Sequence, residues 1–494
     1  MESLTPQIFV LTLALVGVVI IVAALLSGLI DRSDLPQVGV FLALGAILGP
    51  AGLQLLDVSL DSPMLRVVAT VSLVLVLFTD AVSLSIAEIR RHRLLAFLVL
   101  GPGTLLSAVL IALAAWWLLD FRLAPAAMIG AALASTDPVM LRGLLKRPGI
   151  PEPVRLALRL ESGLNDIVLL PVILVTMATL SHGDALGFES ARLALELFLL
   201  GPGAGVAVGL LAIGALELVR RKTGVRRDYE SLYSLGVAFT AYAAAEGVHG
   251  SGFLAAFCAG MTIAALDVEL CDCFLEYGQT TAEMTLLFTF ILFGTSLIWQ
   301  GLLALDGTTL LFALAVVLIR PIAFFLSFAR SKLDQRSRLL IAWFGPRGLS
   351  SLLLILVPVF AGVPGTERLF FICCLIVLLS VVLHGVSLML LGRQESPARG
   401  ISETQTAAVA PACSVEQMGP AAVENNSDRI SVEELRSLQA AGAPAVIVDA
   451  RADTSFNSSD SQAQGALRIA PDQVARRLAE LNVPRQSWII VFCA

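Results

Sequence analysis

Charged side chains are scarce in this chain. Of its 494 residues, 15% are charged and 57% are hydrophobic, whereas an average soluble domain is about a quarter charged and about half apolar. This balance excludes an ordinary soluble protein. It predicts an all-α membrane protein that crosses the bilayer many times and carries a soluble tail.

Cysteine is also sparse, and its seven residues are scattered. None of them has the spacing of a zinc site or of a disulfide framework. The N-terminal sequence MESLTPQIFV has no positive charge before the first apolar run and no small-residue cleavage site. We therefore expect this run to be a retained membrane span and not a signal peptide.

Thirteen apolar segments approach the length that spans a bilayer, about 17 to 20 residues. The eighth and ninth segments are the least certain to be separate spans, because the stretch from Gly247 to Gly252 also fits a break in one long hairpin. Lys and Arg are concentrated in the odd-numbered loops. The positive-inside rule therefore places these loops and the C-terminal tail in the cytoplasm, and the N-terminus outside. The expected location is the cell (inner) membrane. The segments lie at 8–30, 36–56, 64–84, 93–119, 123–146, 157–181, 190–218, 231–247, 250–266, 282–303, 308–330, 337–360 and 367–392.

The sixth segment contains the polar sequence ESGLND at residues 161–166. Charge at this depth costs at least a few kcal/mol per residue, so it indicates an ion or proton pathway. On a helix, Glu161 and Asn165 share one stripe, and Ser162 and Asp166 share a second stripe about 100° further round. One face can offer oxygen ligands to an ion, and the other can hold a structural partner. A purely structural role is the alternative, and it is more open for Glu161 than for Asp166.

Two segments are interrupted by helix-breaking residues. The fifth contains STDPV, where Pro138 lacks an N–H group and should open the helix near Asp137. The twelfth contains FGPRG, where Gly345 and Pro346 should break the helix beside Arg347. Two broken helices in separate halves of a chain indicate a transporter built from inverted repeats, with its site where the breaks cross.

The composition changes after residue 393, so the transmembrane domain is expected to cover 1–393. Residues 394–429 are rich in Ala, Ser, Pro and Glu and predict a flexible linker. Residues 430–494 have an α/β pattern, with predicted strands at AVIVDAR and SWIIVFCA and predicted helices at SVEELRSLQAAG and DQVARRLAELN.

The motifs STDPV, ESGLNDIV and FGPRGLSSL, in this order within residues 8–392, resemble those of the monovalent cation:proton antiporter-1 family, in particular its NhaP-type sodium/proton antiporters. The resemblance implies that Asp166 binds the cation and carries the proton. It implies that Asp137 and Thr136, from the broken fifth helix, contribute to the same site. It also implies that Ser162 is a further oxygen ligand.

The resemblance further implies a charged scaffold, in which Glu161 and Arg347 form a buried ion pair joined by Asn165. The residues agree with this, because an arginine in the middle of a membrane needs an acid. Asp80, in the third span, is either part of a cation funnel or a member of a structural pair. Arg320 is a candidate second scaffold charge, and pairing to the backbone or to an unidentified acid is its alternative.

The tail resembles a rhodanese domain in the order VIVDAR, GALRIAP and IIVFCA. Cys493 lies where that family has its sulfur-carrying nucleophile. Only Ala494 follows it, so the loop that cradles the sulfur is missing, and Ala463 and Gln464 replace the usual His–Ile lead-in. We therefore expect a partial rhodanese-like domain without sulfurtransferase activity.

The expected function is secondary active exchange of Na⁺ (or Li⁺) for H⁺ by alternating access, with both ions competing for Asp166 and Asp137. Asn165 precedes Asp166 and cannot be protonated, so we expect one proton per cation and electroneutral transport. No enzyme activity and no cofactor are expected. The resemblance implies a homodimer in the bilayer, and no nucleic-acid partner is expected.

Three alternatives stay open, namely a K⁺/H⁺ antiporter on the same fold, a channel, and a membrane-anchored sulfurtransferase. A channel lines its pore with rings of carbonyls or charges, whereas the acids of this chain cluster at one depth beside broken helices. A sulfurtransferase would need the loop that is missing after Cys493. For His249 and His384 two roles stay open, namely pH sensing and an ordinary structural role near the end of a span.

Overall fold

The structure is a computed structural model. It describes residues 37–395 with gaps at 85, 146, 148, 183–194, 223–226, 267–271, 330 and 332. It also describes residues 17, 21, 22, 25 and 435, and the tail segments 445–449, 465–469 and 488–492. The chain divides into two compact units, Met1–Thr406 and Ala407–Ala494.

The first unit is helical. Among its described residues, eight helices are long and apolar enough to cross a membrane, and three further apolar helices are shorter. The predicted class, an α-helical protein with many membrane spans, is confirmed. The helices are α1 (Gln37–Leu48), α2 (Pro63–Val82), α3 (Ile86–Arg91), α4 (Arg93–Leu118), α5 (Leu123–Ala134), α6 (Pro138–Leu145), α7 (Glu152–His182), α8 (Gly201–Lys222), α9 (Arg227–Gly247), α10 (Gly252–Ala265), α11 (Asp272–Leu292), α12 (Gly307–Ser327), α13 (Gln335–Trp343), α14 (Leu349–Phe360) and α15 (Thr366–Glu395).

The predicted second to thirteenth segments each overlap one or two of these helices. Most of the first, 8–30, lies outside the described residues. The uncertain eighth and ninth segments are separate helices, α9 and α10, with a turn between Gly247 and Gly252. In α4, the stretch Val99–Leu105 is a π-helix that contains Pro102, which is a usual way for a helix to accommodate a missing N–H group.

Both predicted helix breaks are confirmed. Helix α5 ends at Ala134 and α6 begins at Pro138, and α13 ends at Trp343 and α14 begins at Leu349. Pro138 is the first residue of α6, where the missing N–H group costs no helical hydrogen bond. Each broken span therefore ends one half-helix and starts another inside the protein, which leaves backbone groups that need other partners.

The helices pack in two bundles. One contains α4 to α7 and α12 to α15, and the other contains α1, α2 and α8 to α11. Small residues allow close packing within each bundle: Gly130 of α5 lies against Ala108 of α4, and Gly205 of α8 lies against Ala255 of α10. Both broken spans belong to the first bundle, so this bundle holds their crossing point.

The described part of the second unit is a small parallel sheet. Its strands are β1 (Ala445–Asp449), β2 (Leu467–Arg468) and β3 (Trp488–Phe492), in the spatial order β2-β1-β3. The predicted strands at AVIVD and WIIVF are confirmed. The two predicted tail helices fall almost entirely outside the described residues, as does Cys493, and the rhodanese-like interpretation stays a prediction.

Candidate functional site

Asp137 joins the two broken spans at their crossing point. Its carboxylate accepts a hydrogen bond from the amide of Val139 at 2.8 Å (Oδ1) and one from the amide of Leu349 at 2.7 Å (Oδ2). Its own amide donates to the carbonyl of Pro346 at 3.0 Å. One buried carboxylate therefore caps the N-terminal ends of both α6 and α14, where backbone N–H groups and the helix dipole favour negative charge.

Two arginines cap the opposite ends of the half-helices. The Arg320 guanidinium donates to three carbonyls at the end of α13, those of Ile341 (2.8 Å), Ala342 (2.5 Å) and Phe344 (3.2 Å). The Arg347 guanidinium donates to the carbonyls at the end of α5, those of Ala134 (2.8 Å) and Ser135 (3.1 Å). Positive charge is stabilising at a helix C-terminus, and these donors satisfy carbonyls that the breaks have freed.

The partner of Glu161 is Arg320. The Arg320 Nη2 atom lies 2.9 and 2.7 Å from the two Glu161 carboxylate oxygens, and both side chains are buried. The predicted pairing of Glu161 with Arg347 is therefore wrong, because the Arg347 guanidinium donates to carbonyls of the fifth span instead. Asn165 does not join the pair, since its Nδ2 atom donates to the Thr136 hydroxyl at 2.9 Å.

Asp166 lies beside the first break. The Ser135 hydroxyl donates to Asp166 Oδ1 at 2.8 Å, and both residues are buried. The sequence interpretation did not single out Ser135, although it directly precedes Thr136 in STDPV. The breaks thus bring Ser135, Thr136 and Asp137 next to Asn165 and Asp166, on the adjacent helix α7.

Three polar atoms at the crossing have no hydrogen-bond partner among the described residues. They are Asn165 Oδ1, Arg320 Nε and Arg347 Nη2, and all three are buried. Buried polar atoms are usually paired, so such atoms point to a bound ion or water. Asn165 Oδ1 and the Asp166 carboxylate are oxygen ligands of the kind that a hard cation prefers. Within the described part of the chain, no cluster of three or more His, Cys, Asp or Glu residues could hold a resident metal ion.

A cavity of about 550 Å³ lies next to this site. Ser162 and Asp80 both line it, and the Ser162 hydroxyl donates to the Arg159 carbonyl at 3.4 Å. Their predicted roles, a further oxygen ligand for Ser162 and a cation funnel or structural pair for Asp80, stay predictions. Arg142 of α6 and Glu283 of α11 also line the cavity and form an ion pair. This pair connects a broken span of one bundle to a helix of the other.

A family model matches most of this chain. The family model described as "Sodium/hydrogen exchanger, transmembrane" matches residues 17–394. The matched range contains both broken spans, the arginines that cap them and the acidic residues of α7.

Among curated proteins, a K⁺/H⁺ antiporter of Alkalimonas amylolytica is 26% identical over 384 residues, which are 76% of this chain and 66% of that protein. A K⁺/H⁺ antiporter of Shewanella sp. strain MR-4 is 28% identical over 376 residues, which are 74% of this chain and 64% of that protein. A Na⁺/H⁺ antiporter of Halobacillus dabanensis is 29% identical over 304 residues, which are 58% of this chain and 72% of that protein. The chain thus spans slightly less than two thirds of the length of the two K⁺/H⁺ antiporters.

Among solved structures, the sodium proton antiporter of Methanocaldococcus jannaschii at pH 8 superposes with a TM-score of 0.62. The two sequences are 21% identical, and the match covers 78% of this chain and 100% of the other. At this identity the likeness shows a shared fold.

Proposed function

The chain belongs to the sodium/hydrogen exchanger family, and on this premise we propose that it exchanges a monovalent cation for a proton across a membrane. Asp166 is the group for which the cation and the proton compete. Alternating access arises when the bundle that holds the crossing moves against the other bundle. Asn165 Oδ1 and the Thr136 and Ser162 hydroxyls are the further candidate oxygen ligands.

The observation that carries this proposal is the distribution of charge at the crossing. Arg320 is paired with Glu161. Arg347 caps the end of α5, and the Asp137 carboxylate caps two half-helices. Asp166 is the remaining acid of the crossing, and among the described residues the neutral Ser135 hydroxyl donates a hydrogen bond to it. A carboxylate without a positively charged partner at membrane depth requires a proton or a cation, which is the competition that an antiporter needs.

This arrangement changes the expected role of Asp137. Its two carboxylate oxygens already accept backbone amides from α6 and α14. We therefore propose that Asp137 acts on the cation through its charge and through the position of Thr136, and that Asp166 alone carries the transported proton. With Asn165 next to it, the site exchanges one proton per cation and moves no net charge.

The proposed cation is Na⁺ (or Li⁺), as the sequence motifs imply. K⁺ is the second candidate, because the two relatives that match about three quarters of this chain are named K⁺/H⁺ antiporters. We further propose an inner-membrane homodimer with the N-terminus outside and the tail in the cytoplasm. The proposed domains are an antiporter domain at 1–393, a linker at 394–429 and a partial rhodanese-like domain at 430–494.

The test is transport in proteoliposomes with a preset pH gradient. Na⁺, Li⁺ or K⁺ is added, and the gradient is followed with a pH-sensitive dye for the wild type, Asp166→Asn and a control, Asp61→Asn, which changes an exposed loop acid. Collapse with Na⁺ that is lost only in Asp166→Asn supports the proposal. Collapse with K⁺ alone changes the cation and keeps the mechanism. A folded wild type that responds to no cation overturns it.

A further inference from the structure

Ser380 and His384 of α15 lie one helical turn apart and are both buried against the break in the second crossing span. The Arg347 amide, just before α14, donates to the Ser380 hydroxyl at 2.7 Å. His384 Nε2 lies 3.2 Å from the carbonyl of Trp343, the last residue of α13. The Ser380 hydroxyl and His384 Nδ1 are 3.2 Å apart. These contacts form a chain that runs from one side of the break to the other.

We propose that Ser380 and His384 are positioning residues for exchange, which hold the two sides of this break at the spacing that the ion site requires. The proposal rests on the proposed function, since it concerns the same site. Neither residue touches the oxygen atoms of the site. Ser380 contacts the Arg347 amide and His384 contacts the Trp343 carbonyl, so both act through the backbone of the break.

Each ring nitrogen of His384 faces a carbonyl, which can only accept. Nε2 lies 3.2 Å from the Trp343 carbonyl, and Nδ1 lies 2.9 Å from the Ser380 carbonyl, one turn back on α15. A neutral imidazole donates to one of the two, as its tautomer decides. In the Nε2–H tautomer, which joins the two sides of the break, Nε2 donates to Trp343 and Nδ1 accepts from the Ser380 hydroxyl. In either tautomer the Ser380 hydroxyl accepts from the Arg347 amide.

A backbone break needs such support because its polar groups have lost their helical partners. Asp137 holds the amide of Leu349, and Arg320 holds the carbonyl of Phe344. The Trp343 carbonyl precedes these two groups along the chain and the Arg347 amide lies between them, and the Ser380–His384 pair supplies a partner to each.

The position of Arg347 then controls the ion site. Its guanidinium holds the carbonyls of Ala134 and Ser135, and the Ser135 hydroxyl donates to Asp166. If the Arg347 backbone shifts, Ser135 shifts with it and the oxygen cage around the cation is displaced. Loosening this contact should therefore weaken cation binding more than it slows the maximal rate of exchange.

The test measures the apparent KM for the cation and the maximal rate in proteoliposomes, with the full chain. Ser380→Ala and His384→Leu should each raise the cation KM about fivefold, the value of one neutral hydrogen bond, with the maximal rate within about twofold of wild type. The double variant should resemble either single one, because both residues belong to one hydrogen-bonded chain. His384→Gln, which keeps a side-chain donor and acceptor, should recover most of the wild-type KM.

Ser387→Ala is the matched control on the same helix. The Ser387 hydroxyl contacts the Trp343 indole at 3.2 Å and has no contact with the backbone of the break. The Ser387→Ala variant should therefore leave the cation KM unchanged. An unchanged KM in Ser380→Ala, or effects of the two single variants that multiply in the double variant, would overturn the proposal.

A second measurement is independent of transport. Hydrogen–deuterium exchange of a peptide that contains residues 344–349 should be about fivefold faster in Ser380→Ala than in the wild type or in Ser387→Ala. Equal exchange rates would refute the positioning role even if the wild type transports no cation. Faster exchange in Ser380→Ala, combined with a wild type that transports neither Na⁺ nor K⁺, would uphold the contact and reject only the proposed function.

Discussion

The carboxylate of Asp137, in one broken span, accepts a hydrogen bond from the amide of Leu349, in the other, at 2.7 Å. Its second oxygen caps the half-helix of its own span through Val139. A single acid therefore fixes the relative position of two half-helices that come from distant parts of the chain. It follows that this acid has a structural role in addition to any effect of its charge on a cation.

The two acids of the site should respond differently to removal of charge. Asn at position 137 has one oxygen and one NH₂ group, so one of the two backbone amides would face a donor. Loss of one hydrogen bond to a charged group costs about 1.5–3 kcal/mol. Asp137→Asn should therefore lower both the unfolding temperature in detergent and the transport rate. Asp166→Asn should abolish transport and keep the unfolding temperature. Equal unfolding temperatures for the two variants would contradict this division of roles.

The contact between Asp137 and the second break also depends on a glycine. A Cβ atom at Gly348 would overlap the Asp137 carboxylate. Gly348→Ala should therefore separate the half-helices, cost about 1–3 kcal/mol as overpacking does, and eliminate exchange. Gly143→Ala is the control, because a Cβ atom there meets no atom within 4 Å. Thermal unfolding and dye-based transport of both variants check the prediction, which fails if Gly348→Ala transports like Gly143→Ala.

The ion pair between Glu161 and Arg320 should be needed for folding more than for transport chemistry. Removing one partner of a buried ion pair costs about 3–5 kcal/mol, because the other charge stays buried. Glu161→Gln should therefore lower the unfolding temperature strongly. Arg320→Lys should do so as well, since an ammonium group cannot reach a carboxylate and three carbonyls at once. Glu367→Gln, which changes an exposed acid of α15, is the reference, and an equal unfolding temperature for Glu161→Gln would disprove the assignment.

Some of this site could be predicted from the sequence because the signals are local. Pro138 follows the polar residues Thr136 and Asp137, and Pro346 stands between Gly345 and Arg347, so both breaks were predictable from local signals. A proline alone would not have been enough, because Pro171, Pro321 and Pro358 lie inside helices. The i, i+4 spacing of Glu161 and Asn165 placed them on a stripe apart from Asp166. Composition alone separated the membrane unit from the tail.

The pairing of charges could not be predicted in this way. Arg320 and Arg347 are both arginines at membrane depth, and Glu161 could neutralise either one. The choice depends on where the carbonyls freed by each break lie, which is a property of distant contacts between α5, α7, α12 and α13. Ser135 was missed for a related reason, because a serine in an apolar helix most often bonds to its own backbone.

The ion pair between Arg142 and Glu283 should influence cation entry more than stability. The two side chains are 42% and 23% exposed, and an exposed pair contributes only about 0–1 kcal/mol. Both line the cavity beside Asp80, however, and they belong to different bundles. Glu283→Gln should leave a guanidinium in the cation path without its partner and raise the cation KM several-fold, with the unfolding temperature unchanged.

Exchanging the two charged residues tests whether the ion pair itself matters for cation entry or only the sign of the charge at each position. The double variant Arg142→Glu with Glu283→Arg restores an ion pair between α6 and α11 in the reverse orientation. If the pair itself matters, this variant should recover the wild-type KM, and the defect of Glu283→Gln should shrink as ionic strength rises, because salt screens exposed charges beyond about 10 Å at 0.1 M. If the double variant is as impaired as Glu283→Gln at every salt concentration, the sign of charge at position 142 controls entry and the pair does not.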